Sequence, residues 1–353
     1  MLIFDAHLDL GLNGVDWNRN LDQDVADLRA QEKSLGMTEP GRGGATLSFP
    51  ELRKAEVGVC VATVLARLEQ PINHSFGWTS PEACFAIASS HLAYYRALER
   101  RGSMRMLRTQ GDLARHVAQW NADAETTPFG YILSMECADA VLDPDHIHDW
   151  HEQGLRAIGI THYGPNRYGG GTRSEAGLAA EALPLLANIE KLGMLLDLTH
   201  LSDRAFWQVA EKFGGRVLAS HQAARKFCDW QRQFSDPMIK FTIERGGVLG
   251  MPCDLVMLQP GYVRGESPRK ETLERLADNI DHICQLAGNA KHVGIGSDLD
   301  GGYGVEQTPA DLDTIADLQK LAGILANRGY SATDVAGVMH GNFLRLFGEA
   351  LPA

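Results

Sequence analysis

His7 and Asp9, Glu136, His162, His200, His221 and Asp298 each fall within or just beyond a short apolar run of this chain. All are metal-ligand or acid–base types. In His7-Leu8-Asp9 the outer two side chains share a face, because strand side chains alternate with period two. One cation can then take an imidazole nitrogen and a carboxylate oxygen. His200 and His221 follow successive apolar runs and offer a second cation the same kind of seat. Glu136 lies between the two sets in chain order, and a carboxylate has two oxygens with which to join two ions. Imidazoles and carboxylates without a thiolate suit Zn²⁺ and accommodate Mn²⁺ or Co²⁺. Two such ions about 3.5–4 Å apart clamp a water, lower its pKa and polarise a carbonyl, which is hydrolytic chemistry.

The elements that must position these residues read as alternating strands and helices. Apolar, often β-branched runs at 1–4, 57–65, 131–135, 155–161, 194–199, 217–220, 247–251 and 292–297 predict strands buried on both faces. Amphipathic patterns at 80–100, 179–191, 203–213, 270–286, 310–327, 334–339 and 342–348 predict the helices between and after them. About eight such repeats over one chain of 353 residues point to a single (β/α)8 TIM barrel. No G-x-G-x-x-G opens a helix after an early strand, which removes the dinucleotide-binding alternative. Polar segments over about 16–56 and 163–177 read as insertion loops. In a barrel they lie over the C-terminal mouth, where sequence-distant strand ends converge.

Composition excludes other classes. Hydrophobic residues at 44%, charged at 22% and aromatic at 7% describe a globular chain rather than a disordered or fibrous one. A formal net charge of −12 disfavours a nucleic-acid partner, whose footprint is basic. No run approaches the roughly 18–20 apolar residues of a membrane helix. The start Met1-Leu2-Ile3-Phe4-Asp5 lacks the pattern of a secretory signal. Six scattered cysteines with no C-x-x-C spacing suit a reducing compartment, so a cytoplasmic location is expected.

Five segments in order carry a resemblance: Asp5-Ala6-His7-Leu8-Asp9-Leu10, Asp197-Leu198-Thr199-His200-Leu201-Ser202, Ser220-His221-Gln222-Ala223-Ala224-Arg225, Gly294-Ile295-Gly296-Ser297-Asp298-Leu299-Asp300-Gly301 and Gly341-Asn342-Phe343-Leu344-Arg345. Together the chain resembles the membrane (renal) dipeptidase family, the M19 peptidases, among the amidohydrolase-type barrels. The resemblance implies one zinc on His7, Asp9 and Glu136 and a second on Glu136, His200 and His221. It implies hydrolysis of dipeptides, including those with a C-terminal D-residue, by a hydroxide held between the metals. Asp298 then handles the proton, His162 stands near the substrate carbonyl, and Arg232 binds the substrate carboxylate, with Arg225 as its near competitor. A homodimer is also implied. Hydrolysis of N-acyl amino acids or cyclic amides, and a non-catalytic metal-binding homologue, are the alternatives.

Departures from the family pattern fall at Cys137, where glycine is usual after the bridging glutamate, in Met251-Pro252-Cys253-Asp254, and in the glycine-rich loop 163–172. Asp300 reads as structural. His146, His148 and His151 read as an exposed turn and helix start rather than a metal cluster. Trp17, Asn18 and Arg19 read as cover for the mouth or packing of the insertion.

Overall fold

Parallel pairing follows from the double burial of the apolar runs, and it carries the chain round a ring. β1 (Ile3–Leu8), β2 (Val57–Leu65), β3 (Phe129–Glu136), β4 (Leu155–Gly159), β5 (Leu195–Asp197), β6 (Val217–Leu218), β7 (Leu249–Met251) and β8 (Val293–Ile295) are its staves. Ladders run without a break in the order β7-β8-β1-β2-β3-β4-β5-β6. A parallel bridge between Ala219 and Leu249, with the Gly250 N–H donating to Ala219 O at 2.8 Å, closes β6 onto β7. The computed structural model describes residues 1–69 and 77–353, and over them the architecture is the expected (β/α)8 barrel. A short strand, Met104–Met106, adds to β3 outside the ring.

One end of the ring is sealed. Phe4, Ala6, Val59, Val61, Ile132, Ala157, Leu195, Leu218 and Val248 form the floor core, joined by Phe343 and Phe347 of the last helix, Asn342–Ala350. Phe343 and Phe347 stack on Phe4 at 5.5 and 5.4 Å. Each fully buried phenyl contributes about 1.5–3 kcal/mol, so the floor is a stable plug and the opposite end is left for chemistry.

Several local expectations are adjusted. β1 runs on past residue 4 to Leu8, with Asp5 inside it. That buried carboxylate is tolerated because Ser297 N–H (2.9 Å), Ser297 Oγ (2.5 Å) and His7 N–H (3.1 Å) all donate to it, clasping β1 to β8. The β1–β2 register slips between Asp5 and Leu8. Phe4 and Ala6 therefore point to the floor, while His7 and Asp9, in the opposite phase, still turn into the mouth. The insertion before β2 is not all loop: it holds the helices Val25–Ser34 and Phe49–Lys54. Helices Gln110–Ala122 and Asp236–Glu244 were not anticipated, although Thr109 and Asp112 form a capping box that the sequence displays.

The segment 163–177 is a loop folded on itself through bridges Tyr163–Thr172, Pro165–Gly170 and Gly169–Leu178. A Cβ at Gly170 or Gly171 would meet Ala176 O or His162 O at 2.1 or 1.9 Å, so its glycines permit a backbone approach that no other residue allows. Asp300 has the structural role expected. Its carboxylate accepts from Thr46 N–H and Oγ1 and pairs with Arg19 at 3.1 Å, tying the first insertion to the end of β8. Among the described residues no helix is long and apolar enough to cross a membrane.

Candidate metal centre

Glu136, the last residue of β3, sits between two histidine sets, and its two oxygens face different ones. Oε2 lies 3.5 Å from His7 Nε2. Oε1 lies 3.1 Å from His200 Nε2, 3.5 Å from His221 Nε2 and 3.6 Å from His162 Nε2. His7 Nε2 is also 3.6 Å from Asp9 Oδ2 and 3.8 Å from Asp298 Oδ1. Three overlapping groups have ligand atoms mutually within 4.8 Å: His7, Asp9 and Glu136; Glu136, His162 and His200; His7, His221 and Asp298. The strand ends β1, β3, β4, β5, β6 and β8 thus converge as the barrel requires, and every anticipated ligand is in the cluster.

Hydroxyl groups behind the imidazoles set their orientation. Thr172 Oγ1 meets His200 Nδ1 at 2.9 Å, and Ser220 Oγ meets His221 Nδ1 at 2.9 Å and His7 Nδ1 at 3.3 Å. Thr63 Oγ1 donates to Asp9 Oδ1. The tautomer in which Nδ1–H is donated to the hydroxyl puts the Nε2 lone pairs of His200 and His221 on the Glu136 side, and it is the one a metal ligand needs.

The donor chemistry fits a cation. Burial first, then the charge of Arg232, holds His200 well below its usual pKa; burial and His7 do the same for His221. Two neutral imidazoles whose Nε2 atoms stand 3.1 Å apart are held favourably by a cation that both coordinate. His7 Nε2 is buried with no hydrogen-bond partner among the described residues, although carboxylates surround it. Burial opposes charge on His7, yet Glu136 and Asp9 outweigh it and raise its pKa well above the usual value. Asp298 is raised well above the carboxylate range by burial, with Glu136 and Asp9 adding to the effect against His7.

The backbone is strained at this mouth. Cys137, His200 and Asp298 have φ of 77°, 69° and 57°, a region costly for residues with a Cβ. At Cys137 this is a conformation that glycine would adopt without that cost. The Cys137 thiol donates to Asp139 Oδ2 at 3.2 Å and is not among the grouped ligand atoms.

A cavity of about 1000 Å³ opens above the cluster, lined by Glu136, His162, Tyr163, His200, His221, Arg232 and Asp298 among others. The two candidate arginines separate here. Arg232 reaches the cavity, with Nη1 donating to Gln222 Oε1 at 2.6 Å and Nη2 to His221 O at 3.0 Å. Arg225 does not line it; its guanidinium forks onto Asp203 at 2.8 and 3.0 Å. His146, His148 and His151 lie outside the cluster, where Asp143 caps the turn Pro144–His146. Trp17 lines the cavity, whereas Arg19 is buried against Glu32 and Asp300.

Asp254 lines the same cavity and was not singled out as a site residue, although it follows β7 as the other acids follow their strands. Burial, only partly offset by the Val256 N–H and the Gln307 amide, lifts its pKa from 3.8 to about 6. The folded protein therefore binds more protons than the unfolded chain between about pH 4 and 6, and stability falls as pH rises through that window. Asp254→Asn keeps both hydrogen bonds without the charge. It should be more stable than the wild type at pH 7.5, by up to about 3 kcal/mol, with the gain fading toward pH 4. Urea unfolding at the two pH values measures this; an equal difference at both would remove the buried charge as its cause.

Comparison with known proteins gives the chain relatives. The family model for membrane dipeptidase (peptidase family M19) matches residues 1–352. Dipeptidase aclJ of Aspergillus oryzae is 30% identical over 207 residues, covering 57% of this chain and 46% of that protein. Human Dipeptidase 3 is 28% identical over 172 residues, covering 49% of this chain and 33% of that protein. The match thus spans half or less of the length of these relatives. Among solved structures, the metallopeptidase dipeptidase AC of family M19 superposes with a TM-score of 0.80 at 21% identity, covering 100% of this chain and 99% of that one. A metallopeptidase from Rhodobacter sphaeroides, liganded with a phosphinate mimic of the dipeptide L-Ala-D-Ala, superposes with a TM-score of 0.79 at 22% identity, covering 99% of each chain. At such identities the likeness establishes the barrel.

Proposed function

Because the chain belongs to the membrane dipeptidase family, peptidase family M19, we propose that it is a binuclear zinc dipeptidase that cleaves short peptides, including those with a C-terminal D-residue. The observation that carries this reading is Glu136, whose oxygens face His7 on one side and His200 and His221 on the other. In it, His7, Asp9 and Glu136 hold one ion, and Glu136, His200 and His221 the other. Bound there, the ions supply Lewis acidity toward a peptide carbonyl and lower the pKa of a water. The whole chain, 1–353, is read as one barrel domain. Its six free cysteines suit a reducing, cytoplasmic setting.

The chain's own residues then divide the work. Asp298, beside His7 at 3.8 Å, takes the proton of the attacking water on a carboxylate oxygen and returns it to the leaving nitrogen. Burial, with Glu136 and Asp9 adding to it, raises its pKa well above the carboxylate range against the pull of His7, which suits a group that must hold a proton between accepting and donating it. His162 is kept neutral chiefly by burial, and its Nδ1 has no partner among the described residues. It steadies the developing oxyanion by hydrogen bonding. Arg232 retains donors beyond those engaged by Gln222 and His221 O, and grips the C-terminal carboxylate.

A panel of dipeptides, their C-terminal amides and N-acyl amino acids tests the function. Free dipeptides should be turned over by the metal-loaded protein, and Arg232→Met should lower kcat/KM on them about 10²-fold or more while affecting the amides much less. Cleavage of N-acyl amino acids alone would favour the related amidohydrolase reading, and equal loss on acids and amides would remove Arg232 from carboxylate binding.

A further inference from the structure

A second guanidinium stands on the Arg232 side of the cavity. Arg173 follows Thr172, whose hydroxyl meets His200 Nδ1 at 2.9 Å. The Arg173 N–H donates to the side chain of Gln231, the neighbour of Arg232, at 2.8 Å. Its guanidinium carbon lies 5.6 Å from the Tyr163 ring centre and 5.7 Å from that of Trp230. Two aromatic faces and a backbone tether thus hold an exposed cation at the rim of the same cavity that Arg232 lines.

Two other arginines of the wall already face carboxylates: Arg167 meets Glu181 at 3.3 Å and Arg67 meets Glu69 at 3.1 Å. Among the described residues no carboxylate lies within 4.0 Å of the Arg173 guanidinium. Acids line the cavity as well, Glu39, Asp254 and Asp298 among them, but none of them pairs with the Arg173 guanidinium, which leaves that cation for an anionic ligand.

We propose that Arg173 selects dipeptides whose C-terminal residue carries a side-chain carboxylate, aspartate or glutamate. The proposal rests on the dipeptidase reading. In this proposal the α-carboxylate sits on Arg232, and the side chain of the same C-terminal residue extends along the cavity wall that Arg173 also lines. A guanidinium fork matches a carboxylate there and discriminates against the isosteric amide.

The test is kcat/KM for Ala-Glu, Ala-Asp, Ala-Gln and Ala-Ala, each with both C-terminal configurations, on the metal-loaded wild type, Arg173→Met and Arg173→Lys. The wild type should prefer Glu over Gln by about tenfold or more, mostly through KM, as expected for a charge-assisted pair in a cleft. Arg173→Met should reduce that ratio to about twofold or less, and Arg173→Lys, which keeps charge without the fork, should give an intermediate ratio. Equal rates on Ala-Glu and Ala-Gln in the wild type, or an undiminished ratio in Arg173→Met, would overturn the proposal while leaving the dipeptidase reading intact. Failure to cleave any dipeptide would overturn both.

Discussion

Asp298→Asn should keep metal content at the wild-type level and lower kcat by about 10²–10⁴-fold, the usual loss when a positioned acid–base group is removed. The residue is not required to hold either ion in the proposed ligand sets, yet its carboxylate lies 3.8 Å from His7 Nε2 at the cavity wall. Asparagine preserves shape and one acceptor oxygen and removes both the negative charge and the ability to carry a proton. The loss should therefore fall on kcat, with KM little changed. Metal analysis and steady-state kinetics on the same preparation measure both quantities. Unchanged kcat would remove Asp298 from the proton path, and lost metal would make it a ligand instead.

Glu136→Gln should be more damaging still, because it strikes both ions. The amide cannot present an anionic oxygen to each side, and its NH₂ would face a set of Nε2 lone pairs. Metal content should fall well below that of the wild type. kcat/KM should drop by at least about 10³-fold, corresponding to the several kcal/mol of charge stabilisation that bound metal supplies. Elemental analysis after exhaustive dialysis, with kinetics at saturating added zinc, measures this. Full metal occupancy with near-normal rates would exclude a shared carboxylate.

Much of this centre was legible in the residue order, because a barrel turns the ends of its apolar runs into one rim. Glu136, His200 and His221 could be named from the runs they close. The bulge that re-aims His7 could not: it is a slip between two strands, and nothing in 3–8 alone announces it. Thr63, Thr172 and Ser220 were invisible for a different reason. Hydroxyl residues occur everywhere, and only their contacts with Asp9, His200 and His221 make them orienting groups. The resemblance pointed to Arg232, with Arg225 close enough in sequence to compete. Asp203, at the start of a helix, separates them by engaging Arg225.

In the fold, helix Val25–Ser34 escaped notice because its inner stripe is only Val25, Leu28 and the charged Glu32. Glu32 is buried because Arg19, Arg42 and the Gly43 N–H surround its carboxylate. Such a partnered acid in a core position defeats any reading by hydrophobic period.

The most direct measurement is an anomalous difference map from a crystal of the zinc-loaded protein. Two peaks should flank Glu136, one between His7 and Asp9 and the other between His200 and His221, each oxygen of the glutamate directed at its own peak. Peaks away from this cluster, or a Glu136 side chain turned from both histidine sets, would contradict the arrangement from which the proposed chemistry follows.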